Sequence, residues 1–280
     1  MSNILTFEKI RFSYNGNYEN SFLLNDISFN IEDGEFVSVI GKNGSGKSTL
    51  IKLISRIISS YDGTIFFKGT DIKNIDTKEY SRNISYVPQS FNLINSNLNV
   101  RELLLMGRYP LKRFLDFRNS KEDIDTVNAA MEETGILEFS ERNLWELSGG
   151  EKQKVMLTLG LVQLNIKEQL SEKVLIIDEP VTYLDVNFQI EIFRILKRLN
   201  VKGLTIIIVI HDLNSALNYT DKTILMNEGK LVMFSDTDKV ITENMLREHF
   251  FIESKIINYE NRKKKTKRGI EQNRCYAIGF

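Results

Sequence analysis

The nine residues Gly41-Lys42-Asn43-Gly44-Ser45-Gly46-Lys47-Ser48-Thr49 constrain this chain more than any other stretch. They follow a short apolar run, Phe36 to Ile40, and precede a segment in which Leu50, Ile51, Leu53, Ile54, Ile57 and Ile58 recur at helical spacing. A strand, a glycine-rich loop and a helix in that order predict backbone N–H groups curled around an anion, with the positive end of the helix facing it. In the pattern G-x-x-x-x-G-K-[ST], Lys47 reaches the terminal phosphates of a nucleoside triphosphate, and the Ser48 hydroxyl serves Mg²⁺, which needs only one or two protein oxygens. The plain alternative is a glycine-rich turn that binds nothing, and the placement between strand and helix argues against it.

A second element agrees. Val174-Leu175-Ile176-Ile177 is a buried-type strand that ends in Asp178-Glu179. Asp178 is expected to hold Mg²⁺, mostly through its water shell, while Glu179, one residue on and pointing elsewhere, polarises the attacking water or takes its proton. Alone, two carboxylates at a strand end would be a solvated terminus; beside a phosphate cradle they complete a site.

The totals bound the rest. With 280 residues, 42% hydrophobic and 26% charged, the chain can bury a sizeable core. Lys+Arg and Asp+Glu are both 37, so no global charge favours wrapping nucleic acid. The lone cysteine, Cys275, excludes an intramolecular disulfide and agrees with a cytosolic address. Residues 1–11 lack a signal-peptide pattern, and apolar runs such as 204–210 fall short of the roughly 20 residues that cross a bilayer. A chain of this kind acts on a membrane only from its surface.

Along the chain, Leu5, Phe7, Ile10 and Phe12 predict a strand ending at Tyr14, and residues 27–31 an alternating strand beyond a turn-rich segment, 15–20, the two forming an antiparallel lid. Residues 100–161 change to helical periodicity and read as a helical insertion. After it come the strand at 174–177, a helix over 186–199, a strand over 204–210 and a hairpin, 223–226 with 230–234, joined through Asn227-Glu228-Gly229. Apolar runs alternating with helices predict a mainly parallel sheet buried on both faces. The expected division is one domain over 1–251 and an extension over 252–280, whose Arg262, Lys263, Lys264, Lys265, Lys267 and Arg268 read as a solvated tail, with contact to anionic lipid as the alternative.

Leu147-Ser148-Gly149-Gly150-Glu151 makes the reading specific. A serine and two glycines opening a helix expose N–H groups and a hydroxyl, a second anion-binding end; the stretch resembles the LSGGQ signature of the ABC ATPases. That resemblance implies an α/β P-loop NTPase fold with a mainly parallel core sheet, an N-terminal antiparallel β subdomain and an α-helical insertion. It also implies ATP and Mg²⁺ sandwiched between two copies in a head-to-tail dimer, so that Leu147, Ser148, Gly149, Gly150 and Glu151 meet the partner's ATP. Tyr14 then resembles the aromatic that stacks on adenine, Gln89 the Q-loop residue that also serves the metal, Leu184-Asp185 the D-loop, and His211 the switch histidine on the γ-phosphate. Singly, each has an ordinary structural reading: Tyr14 as a strand aromatic, Gln89 as a surface polar residue, His211 as a satisfied strand-end histidine.

Met106-Gly107-Arg108-Tyr109-Pro110, followed by Phe114 and Phe117, and His211-Asp212-Leu213-Asn214 are similar to the ATPases of importers for iron-siderophore complexes, haem and vitamin B12, over residues 4–251. Two departures stand out: Val181 where many relatives carry threonine, and a longer connection over 164–173, as in haem and B12 members. The resemblance implies a peripheral subunit on the cytoplasmic face of the inner membrane, a separate polytopic permease with which it works, and an extracytoplasmic substrate-binding protein. Closure of the dimer on ATP and reopening on hydrolysis would push on the permease through a groove near Gln89. A soluble ABC ATPase of DNA repair, translation or cofactor assembly is one alternative, and an ATP-sensing regulatory module another; Lys47, Asp178, Glu179 and His211 together favour turnover over sensing.

Overall fold

A computed structural model describes residues 2–14, 23–89, 97–112, 118–180, 185–260, 265–266, 269–270 and 274–279. Its strands are β1 (Asn3–Phe12), β2 (Leu24–Glu32), β3 (Phe36–Ile40), β4 (Asp62–Phe67), β5 (Thr70–Asp71), β6 (Ile84–Val87), β7 (Val174–Asp178), β8 (Thr205–Val209), β9 (Lys222–Asn227), β10 (Lys230–Asp236) and β11 (Lys255–Glu260). The main helices are α1 (Lys47–Ile54), α2 (Thr77–Asn83), α3 (Val100–Met106), α4 (Lys121–Thr134), α5 (Gly149–Gln163), α6 (Val186–Val201) and α7 (Leu213–Tyr219). The turn-rich stretch 15–20, Phe114, Phe117, Val181, Leu184 and the basic residues Arg262, Lys263, Lys264, Lys267 and Arg268 lie outside the described residues.

The isoleucine- and valine-rich runs form the centre. Five strands pair in parallel in the order β9-β3-β8-β7-β6, and β10 closes one edge antiparallel to β9. Every residue of β3, β7 and β8 is buried. Alternate side chains serve opposite faces: Ile206 and Ile208 pack with Leu175 and Ile177 toward α3–α6, while Ile207 and Val209 pack with Val174, Ile176, Val37 and Val39 toward α1 and the second sheet. That second sheet is antiparallel, in the order β2-β1-β4-β5. Its first strand keeps Leu5, Phe7, Ile10 and Phe12 buried despite their broken alternation, because a bulge between Phe7 and Ile10, with Lys9 at φ 51°, turns the strand by one residue.

α1 is shorter than its apolar spacing predicts. It stops at Ile54, Arg56 follows at φ 57°, and the N–H groups of Ile57 and Ile58 both bond the Lys52 carbonyl, leaving Ile57 56% exposed. The hairpin between β9 and β10 turns on Glu228 (φ 48°) and Gly229 (φ 74°), the paired left-handed residues of a type I′ turn. A Cβ on Gly229 would stand 2.2 Å from the Leu23 carbonyl.

The segment expected to be helical holds α3, α4 and α5, each opened by a capping box: Asn99 with Glu102, Ser120 with Asp123, and Ser148 with Glu151. Gly107 lets the end of α3 approach Leu159, and Arg108 is 2% exposed, its Nε donating to Asp123 Oδ1 at 2.8 Å. The long connection 164–173 closes on itself, Lys173 Nζ reaching the Leu164 carbonyl at 2.6 Å and Glu168 Oε2 at 3.1 Å.

On either side of the basic residues the extension is held to the rest of the fold. β11 pairs antiparallel with a last strand, Arg274–Gly279, and that strand docks on α7: Asn218 exchanges two hydrogen bonds with the Tyr276 backbone, and Asn214 Oδ1 accepts from the Ile278 N–H. Among the described residues no helix is long and apolar enough to cross a membrane.

Candidate active site

The carboxyl ends of β3, β8, β7 and β6 lie side by side, and the loop leaving each carries a candidate residue. Ligands of open parallel sheets bind at that edge. β3 runs into the phosphate loop, β7 ends at Asp178 with Glu179 next, His211 lies just past β8, and Gln89 just past β6.

The phosphate loop needs its glycines. Gly41 sits at φ 149°, where a Cβ would meet the Met226 carbonyl at 2.2 Å; Gly46, at φ 99°, caps α1 without a side-chain acceptor, so the first N–H groups of the helix, at Lys47, Ser48 and Thr49, face the loop. Lys47 Nζ donates to the Gly41 and Lys42 carbonyls, both at 2.9 Å, which uses two of its three hydrogens. Burial pulls the Lys47 pKa below the usual lysine range, and the charges of Glu179 and Asp178 oppose that shift. Asn43 and Gly44 are exposed, and Ser45 is buried.

The two carboxylates diverge as their adjacent positions require. Asp178 Oδ1 accepts from Ser48 Oγ at 3.3 Å and Oδ2 from the Tyr86 hydroxyl at 3.3 Å. Burial raises the Asp178 pKa, the neighbouring Glu179 raises it further, and the Tyr86 and Ser48 hydroxyls pull it back. Glu179, at φ 45°, has its N–H on the Val209 carbonyl at 3.1 Å and its side chain turned the other way. Gln89 Nε2 donates to Glu179 Oε2 at 2.6 Å, and His211 Nε2 lies 2.6 Å from Oε1. A carboxylate only accepts, so Nε2 of His211 carries the proton. Sequence reasoning missed Tyr86; its place at the end of a short apolar strand gave no sign that its hydroxyl meets the acidic pair.

The signature stretch lies apart from this cluster. Ser148 caps α5, donating its N–H to Glu151 Oε2 at 2.7 Å while its Oγ accepts from the Glu151 N–H at 3.3 Å. The Ser148 N–H, with the Ser148 hydroxyl beside it, holds the Glu151 carboxyl below the usual range. Ser148 and Gly149 are exposed, Leu147 is buried, and Gly150 packs against Phe188 of α6. Asp185 caps α6, its Oδ1 accepting from the N–H groups of Asn187 and Phe188 at 2.9 and 3.1 Å. Tyr14 is 64% exposed, with its ring edge-on to Phe12.

A glycine-rich loop between strand and helix, beside an acidic pair at the carboxyl edge of a parallel sheet, defines a P-loop nucleoside triphosphatase. The family profile described as ABC transporter matches residues 24–182, so the chain belongs to the ABC transporter family and is one of its ATP-binding, ATP-hydrolysing subunits. It is 35% identical over 241 residues to the iron(3+)-hydroxamate import ATP-binding protein FhuC of Bacillus subtilis, covering 86% of each chain. It is 35% identical to the petrobactin import ATP-binding protein FpuC of Bacillus anthracis, covering 83% of this chain and 82% of that protein. Among solved structures it resembles cbiO1 of Clostridium perfringens, part of the ABC transporter complex cbiONQ, with a TM-score of 0.72 and 27% identity over 88% of this chain and 93% of that one.

Proposed function

We propose that the chain powers an importer that takes up an iron chelate, through a membrane permease that is a separate protein. The observation that carries this is the colinear 35% identity to an iron(3+)-hydroxamate import ATPase over 86% of both chains. The exposed Met106 and Tyr109 support it: they border a groove of about 340 Å³ with Leu98 and Leu105, a surface fit to receive a cytoplasmic segment of a permease. In this reading the subunit sits peripherally on the cytoplasmic face of the inner membrane, and an extracytoplasmic binding protein delivers the cargo.

ATP lies with its phosphates along residues 41–49, the remaining hydrogen of Lys47 Nζ reaching the terminal phosphates, and the adenine against Tyr14. Ser48 Oγ and Asp178 Oδ1 converge as hard oxygens and fit Mg²⁺, which when bound neutralises charge on the phosphate oxygens. With its Nε2 on Glu179, Gln89 would serve the metal through its other amide atom, Oε1. Glu179 takes the proton of the attacking water, and Gln89 Nε2 and His211 Nε2 fix the direction of its carboxylate. Ser148, Gly149 and Gly150 meet the ATP of a second copy, arranged head to tail, and Asp185 holds the start of α6 in the same seam.

Cells dependent on this chain should take up radioactive ferric hydroxamate with the wild type and not with Lys47→Ala. Unchanged ferric uptake together with lost haem or cobalamin uptake would replace the cargo. A chain that never fractionates with membranes would replace the importer with a soluble ATPase.

A further inference from the structure

Phe251 is an aromatic ring in an unexpected place. It is 79% exposed, follows the π-type turn Leu246–Phe250, and sits in the left-handed region at φ 61°, ψ 35°. Neither burial nor backbone preference puts a phenylalanine there, and strained aromatic positions of this kind cluster at sites where the surroundings hold them for use. The Ile252 N–H bonds the Leu246 carbonyl at 3.2 Å and holds the turn, so the main chain sets the direction in which the Phe251 Cβ leaves it.

That direction is toward the phosphate loop. Lys42 Nζ stands 3.8 Å from the Phe251 ring centroid, within cation–π range. Glu228 and Glu248 line the same cavity of about 290 Å³, yet among the described residues neither forms an ion pair with Lys42. The carbonyl of the same Lys42 accepts from Lys47 Nζ at 2.9 Å. A path of direct contacts therefore runs from ring to Lys42 side chain, to Lys42 carbonyl, to the ammonium of Lys47.

We propose that Phe251 is a positioning residue for nucleotide binding: its ring pins Lys42, and through the Lys42 backbone it holds Lys47 where the terminal phosphates of ATP bind. The proposal rests on the reading of residues 41–49 as the triphosphate site. It predicts a loss in nucleotide affinity that saturating ATP overcomes, because bound phosphates then hold Lys47 themselves and nothing at Glu179 or His211 changes.

The test is titration of the full-length chain with mant-ATP and Mg²⁺, alongside ATP turnover. Phe251→Leu should weaken binding about three-fold, the scale of an exposed cation–π contact, with kcat unchanged. Phe251→Tyr should bind as the wild type does, Lys42→Met should lose at least as much affinity as Phe251→Leu, and the double variant should be no weaker than Lys42→Met alone. Wild-type affinity in Phe251→Leu, or additive losses in the double variant, overturns the proposal, as does a lowered melting temperature with unchanged affinity. Lys47→Ala separates the two readings. If it abolishes binding while Phe251→Leu does nothing, only the ring's role falls; if it binds normally, the phosphate site falls and this proposal with it.

Discussion

In the proposed function Glu179 is the base of turnover, and its surroundings support that role. Its two oxygens are held by Gln89 and His211, so the carboxylate is aimed before any water is activated. Glu179→Gln keeps the shape and removes the base; turnover should fall by about 10²–10⁴ with nucleotide affinity retained, measured by phosphate release and mant-ATP titration. Tyr86 acts one step away. Its phenol, pushed well above the usual tyrosine range by burial and by Asp178, stays a donor to Asp178 at all working pH values. Because that bond lowers the Asp178 pKa, Tyr86→Phe should raise it and move the acid limb of the kcat/KM profile at fixed Mg²⁺ to higher pH. Lys47, Ser48, Asp178 and Glu179 were legible because motif spacing carries them. The meeting of Gln89, Glu179 and His211, and the role of Tyr86, were not, since they depend on which strands lie side by side.

At the scale of elements, the Arg108–Asp123 pair ties the end of α3 to the start of α4, with side chains 3% and 9% exposed. Asp123→Ala leaves the buried Arg108 only the exposed Glu122 carboxylate at 3.7 Å, so it should cost about 3 kcal/mol in urea melts at neutral pH. Burial pushes the Asp123 carboxyl up, but the bonds from Arg108 and Ser120 outweigh it and the net pKa is lowered. A depressed native pKa adds stability above the unfolded value, about 3.9, and that stability is lost as pH falls through the native value. The gap between wild type and Asp123→Asn should therefore close in melts below about pH 4. The β9–β10 turn makes a second element test: the Gly229 N–H bonds the Ser45 carbonyl of the phosphate loop at 3.1 Å. Gly229→Val should destabilise the fold by more than about 1 kcal/mol and weaken mant-ATP binding as well. This turn was legible from Glu228-Gly229 between two apolar runs. The end of α1 was not, because Ile57 and Ile58 continue the helical spacing past the point where Arg56 takes a left-handed backbone.

For the molecule as a whole, runs of isoleucine and valine announced a doubly covered parallel sheet, but no local pattern encodes the order β10-β9-β3-β8-β7-β6. The C-terminal hairpin was hidden for a related reason: its anchors, Asn214 and Asn218, are ordinary surface residues until the last strand arrives. The proposed ATP site needs two molecules. Ser148 and Gly149 are exposed at the start of α5, a Cβ on Gly149 would meet nothing within 4 Å, and Asn43 is exposed in the phosphate loop, so both halves of the proposed seam are open to a second copy. The direct measurement mixes a chain carrying Asn43→Cys with one carrying Gly149→Cys, both with Cys275→Ser, Glu179→Gln and a short bismaleimide cross-linker. A covalent dimer that forms in the mixture only with ATP and Mg²⁺, and in neither chain alone, is the predicted result; ATP bound by both chains with no cross-link between them would contradict it.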